Sequence, residues 1–100
     1  MNLTEFKQSL SSPQPPSQLS PALRALWYDG LGDWDRAHDL AQDDEGGDGD
    51  WVHAYLHRKE GDRWNAGYWY RRAGQPFPEV SLTQEWEEMV GELLRRTFGL

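Results

Sequence analysis

Cysteine is absent from the 100 residues, which removes disulfide scaffolds, thiolate zinc sites and cysteine nucleophiles together and fits a reducing compartment. Long apolar runs are missing as well. No stretch approaches the roughly 20 residues of a membrane-spanning helix, and the opening residues Met1 to Lys7 carry neither a basic leader nor an apolar run of about 7–15 residues. From these absences we expect a cytoplasmic chain without a membrane partner. Positive charge is scarce: ten Lys and Arg against seventeen Asp and Glu leave a formal charge of −7, which argues against gripping a phosphate backbone by bulk electrostatics. Nucleic acid is not an expected partner. No alternation of apolar and polar residues runs far enough to make a half-buried strand. Nor is there a Gly-x-Ser-x-Gly elbow, a glycine-rich phosphate loop or a His-Glu-x-x-His pair, so neither an enzyme nor a cofactor is expected.

What is present suffices for one core in a single domain: 37% hydrophobic residues, with six Trp among them. Charge is uneven. Residues 1–50 hold ten acids against three bases, whereas residues 51–100 hold seven of each. Asn2 with Glu5 forms a capping-box pattern for a short helix bearing Leu3, Phe6 and Leu10, and the four prolines of residues 11–21 read as a linker. Residues 1–21 are thus set apart from a helical domain over 22–100. Ser20 and Pro21 start a helix with Leu23, Leu26, Trp27 and Leu31 at helical spacing; Asp33 starts another, completing a hairpin over 22–42. The acidic, glycine-rich stretch Asp43 to Gly49 reads as a loop. Asp50 and Asp62 then cap the two helices of a hairpin over 50–74, and Ser81 with Gln84 opens a last helix over 81–98. The fold class expected is all-α, made of antiparallel helical hairpins with a C-terminal capping helix.

Shifting the chain by 29 residues aligns Ala25, Gly32, Asp33 and Ala37 with Ala54, Gly61, Asp62 and Ala66. The second copy continues with Tyr70, Ala73 and Pro78. Residues 20–78 thereby resemble the tetratricopeptide repeat, and Asn65 to Ala73 resemble the second helix of Sel1-like repeats; the chain is also similar to small uncharacterised bacterial proteins. In the first copy Ala41 stands at the aromatic position and Asp44 at the small one. The resemblance implies helix pairs stacked around small residues, and a concave face that holds a protein or peptide. On that face it sets Trp51, Tyr55, Arg58 and Lys59, at spacings of four, seven and eight, and aromatic plus Arg is the composition of binding hot spots.

A second constellation is chemical. His53 and His57 share a helix face and His38 approaches from the preceding hairpin, so three imidazoles can converge on one ligand or metal ion. The plainer reading makes each a packed histidine with one local hydrogen bond. A calcium loop at Asp44 fails because Gly46 and Tyr55 occupy ligand positions. Trp34, Trp64 and Trp69 fall at helix-facing positions and are expected in the core. Arg71 and Arg72 suggest an anion or, more plainly, intramolecular pairing. The leading expectation is a protein- or peptide-binding scaffold module; the other is a small metal- or ligand-binding protein centred on the three histidines. The apolar stripe Trp86, Met89, Val90, Leu93 and Leu94 is too costly to leave in water, so it should cap the hairpins within one chain and favour a monomer. A homodimer through this last helix is the competing outcome.

Overall fold

Five of the six helices begin where a side chain takes up a free N–H group of the first turn. In the computed structural model, which describes residues 1–99, Asn2 and Glu5 form the reciprocal box of α1 (Leu3–Ser9). Ser20 accepts from the Leu23 N–H at the start of α2 (Pro21–Gly30). Asp33, Asp62 and Ser81 cap α3 (Trp34–Asp43), α5 (Arg63–Ala73) and α6 (Leu82–Phe98). At α6 only the serine arm forms, since Gln84 turns its side chain to Glu88. The start of α4 (Gly47–Lys59) differs from expectation. Asp50 is not its cap; the helix begins a turn earlier behind Gly46, which offers no side-chain bond. Asp48 and Asp50 therefore lie in its first turn, where carboxylates meet the positive end of the helix dipole, and part of the supposed acidic loop supports a helix instead.

Six helices and no strand make up the described residues, so the fold is all-α. The 29-residue offset reappears in the turns. Gly32 and Gly61 adopt φ of 86° and 89°, a region that favours glycine. The aspartates that follow share one backbone conformation, and their N–H groups donate to Tyr28 and His57 carbonyls at 2.9 Å each.

α4 is the centre, packing against α2, α3, α5 and α6. Leu23, Leu26 and Trp27 of α2, Val52 and Leu56 of α4, and Met89, Val90, Leu93 and Leu94 of α6 form one buried cluster, so the last helix covers the hairpins within the chain. Residues 1–21 also supply that core. Phe6 is fully buried against Trp86, ring centroids 5.8 Å apart, and Leu19 is buried in the same cluster. A smaller cluster of Ala54, Ala66 and Tyr70 joins α4 to α5, with small residues permitting close approach. Leu31 and Phe98 fall outside the core, and Trp64, expected inside, is 79% exposed on the outer side of α5.

Candidate functional site

The three histidines meet on the side of α4 that faces α3 and α5. Four residues is just over one helical turn, so His53 and His57 stack, with centroids 4.8 Å apart. His38 of α3 meets both edge-on, at 4.6 Å from His53 and 5.3 Å from His57. What brings α3 so near is Gly49: a Cβ there would lie 2.2 Å from the Asp44 carbonyl oxygen and 2.9 Å from that of Ala41, so only glycine lets the first turn of α4 abut the end of α3. Trp34 ties the other end, its indole N–H donating to the Leu56 carbonyl at 2.9 Å.

Two indoles wall the cluster. Trp34 stacks on His38 at 4.9 Å, and Trp69 of α5 stacks on His53 at 4.0 Å. His53 is 5% exposed and His57 nearly as buried, while His38 is half-buried. The polar atoms are incompletely used. His57 Nδ1 lies 2.7 Å from Glu60 Oε1, and because a carboxylate only accepts, Nδ1 is the donor, which leaves Nε2 without a protein partner. Among the described residues neither His38 nor His53 has a protein hydrogen-bond partner for its ring nitrogens, and no fully buried side-chain polar atom is unpaired, so these nitrogens reach solvent. Burial, and then the charges of His38, His57 and Arg72, lower the pKa of His53 to about 4. It is a free base at neutral pH.

Ligand-capable nitrogens of the three rings all lie within 4.8 Å of one another. His57, Glu60 and Asp62 form a second such group, sharing His57. Asp62, however, is spent as the cap of α5, its carboxylate accepting from the backbone N–H and the side-chain amide of Asn65.

The structure turns Trp51, Tyr55, Arg58 and Lys59 toward α2 and α6. Tyr55 is buried and donates to Asp29 Oδ2 at 2.9 Å, while Lys59 Nζ pairs with Asp29 Oδ1 at 2.9 Å. Arg58 donates to Glu85 Oε1 at 2.8 Å and to the Val80 carbonyl at 2.5 Å, and Tyr70 donates to Glu85 Oε2 at 2.5 Å. Burial, followed by the Asp29 charge for Tyr55 and the Glu85 hydrogen bond for Tyr70, pushes both phenols well above their usual range. Trp51 is half-buried between the two apolar clusters, with the Arg96 guanidinium 5.6 Å over its ring. Tyr55, Arg58 and Lys59 thus tie α4 to α2 and α6, and Tyr55 and Lys59 also line a cavity of about 420 Å³ with Asp29, Gly30 and Trp86.

Sequence reasoning passed over Trp34, Trp69 and Glu60 as parts of the histidine cluster. A usable signal existed, since Glu60 stands three residues after His57 and Trp34 four before His38. Comparison with protein-family models, curated proteins and solved structures finds no match to this chain.

Proposed function

We propose that this chain is a small metal-binding helical module in which His38, His53 and His57 hold one divalent transition-metal ion. The observation that carries the reading is the convergence of three imidazoles from two helices, with nitrogens within 4.8 Å of one another. Tetrahedral coordination at about 2.0–2.1 Å requires nitrogen separations near 3.3 Å and ring planes that meet at the ion, so the stacked rings of His53 and His57 must turn toward it. Side-chain rotations closing roughly 1.5 Å at most would complete the set. Glu60 supports the assignment from behind, since a carboxylate on Nδ1 orients His57 to bind through Nε2 and raises its basicity.

The donor set selects the metal class. With imidazoles alone and no thiolate, zinc, cobalt, nickel or copper is favoured, whereas magnesium and calcium prefer oxygen ligands. Three protein ligands leave a fourth position for water or a small ligand, as in sites that exchange what they bind. Titration of chelator-treated protein with zinc, followed by calorimetry and by the emission of Trp34 and Trp69, tests the reading. One equivalent should bind, and His38→Ala should abolish it. Absence of binding at about 100 µM zinc, or binding that His38→Ala leaves intact, would overturn it.

A further inference from the structure

α5 has an outer face that nothing among the described residues covers. It packs chiefly against α4, with Ala66 and Tyr70 inward and the Tyr70 hydroxyl reaching Glu85 of α6. Outward, Trp64 is 79% exposed and Tyr68 40%, and Arg71 and Arg72 are exposed beside them. In a chain of −7 this helix carries three arginines and no acid. Arg72 is engaged, with Asp50 at 3.6 Å and the Trp69 ring at 4.9 Å, but Arg71 has no ionic partner among the described residues. Exposed aromatics interleaved with Arg have the composition of interface hot spots.

The complement lies on the same chain. Asp35, Asp39 and Asp43 recur every fourth residue along the exposed side of α3, and none is in an ion pair among the described residues. From Asp35 to Asp43 is eight residues, as it is from Trp64 to Arg72, so the two stripes are about 12 Å long and match in length. Leu31, 49% exposed just ahead of α3, offers an apolar counterpart to Trp64. α3 and α5 flank one side of α4, where His38, His53 and Trp69 touch in sequence. A twofold axis over that side would set α5 of each copy on α3 of the other, satisfying both stripes twice.

We propose that this face docks a second copy of the chain, the aromatic and basic stripe of α5 meeting the acidic stripe of α3. The contact needs no metal, so it is tested with chelator present and stands or falls apart from the histidine site. Sedimentation velocity should find a dimer in the range of about 10–100 µM. Arg71→Glu alone and Asp39→Arg alone should each raise the dissociation constant roughly tenfold or more, through like charges in contact. An equimolar mixture should dimerise again, because the heterodimer restores opposite charges at both contacts. A wild-type chain that stays monomeric to about 1 mM would overturn the second copy as occupant, leaving an acidic segment of another protein as the chemistry that fits. A dimer that both substitutions leave unchanged, or a mixture that fails to associate, would overturn the surface.

Discussion

The two polar sides of α4 make opposite use of the same helix. Toward α2 and α6, Tyr55, Arg58 and Lys59 find Asp29 and Glu85, each 4% exposed, and every buried carboxylate oxygen there accepts a bond. Toward α3 and α5, two imidazoles are nearly as buried and a third is half-buried, yet only one of their nitrogens is matched by a protein group. A buried charge is tolerable only when paired, so the first side is closed in its hydrogen bonding, each carboxylate oxygen being matched, and contributes to holding the helices in register. A neutral imidazole is less demanding, and its lone pair can wait for a ligand. The contrast separates what stabilises this protein from what equips it.

Removing one member of the closed side should have the largest effect. Glu85→Ala leaves the guanidinium of Arg58, whose side chain is 15% exposed, without its carboxylate and the Tyr70 hydroxyl without its acceptor. A loss of about 3–5 kcal/mol is expected in chemical denaturation, the range for breaking a buried pair from one side. Next comes Tyr55→Phe, which takes from the buried Asp29 one of its two donors while Lys59 remains, at about 1.5–3 kcal/mol. A change below about 0.5 kcal/mol in either variant would show that water replaces these partners and that the seam is not closed.

Much of this architecture is written locally and was legible there, the start of α4 and the place of Glu60 beside His57 excepted. Ser20, Asp33, Asp62 and Ser81 cap the helices assigned to them, because a cap depends on a side chain and a backbone only three residues away. Gly32–Asp33 and Gly61–Asp62 make the same turn for the same reason. The direction in which Tyr55, Arg58 and Lys59 point was not legible, since both polar sides of α4 have helical spacing. Glu85, 27 residues beyond Arg58, and Asp29, 30 before Lys59, decide between them. The histidine cluster was visible as spacing on α4 plus His38, but its closure by Trp34, Trp69 and Gly49 is a tertiary event. Trp64 misled for the opposite reason: a large apolar side chain predicts burial only where the chain has something to lay over it.

On the open side the expected response to substitution reverses. His53→Phe keeps a flat ring against Trp69 and removes nitrogens that no protein group matches, so metal-free stability should stay within about 1 kcal/mol of wild type. The same variant should no longer gain thermal stability from zinc, because binding to the folded state alone is what supplies that gain. A loss of several kcal/mol without metal would mean that His53 is a structural partner, and the two sides of α4 would cease to differ in kind.

The smallest effect on folding should come from Glu60→Ala, and it draws the sharpest line between the two uses of the helix. Glu60 sits at the C-cap of α4 with its side chain 38% exposed, where an ion pair contributes little and alanine is well tolerated. Metal-free stability should therefore change by less than about 0.5 kcal/mol. Yet its Oε1, 2.7 Å from His57 Nδ1, fixes which nitrogen of that ring carries the proton and how the ring is turned. Without it the imidazole can exchange tautomers and rotate, and part of any metal-binding energy must be spent reordering the ring. Zinc affinity should fall roughly ten- to a hundredfold, as for other carboxylates that orient a metal-bound histidine. Calorimetry on the wild type and the variant, run beside denaturation of both without metal, measures the two quantities together. Equal zinc affinities would mean that His57 is held by packing against Trp34 and His53 alone, and Glu60 would then be an ordinary surface acid.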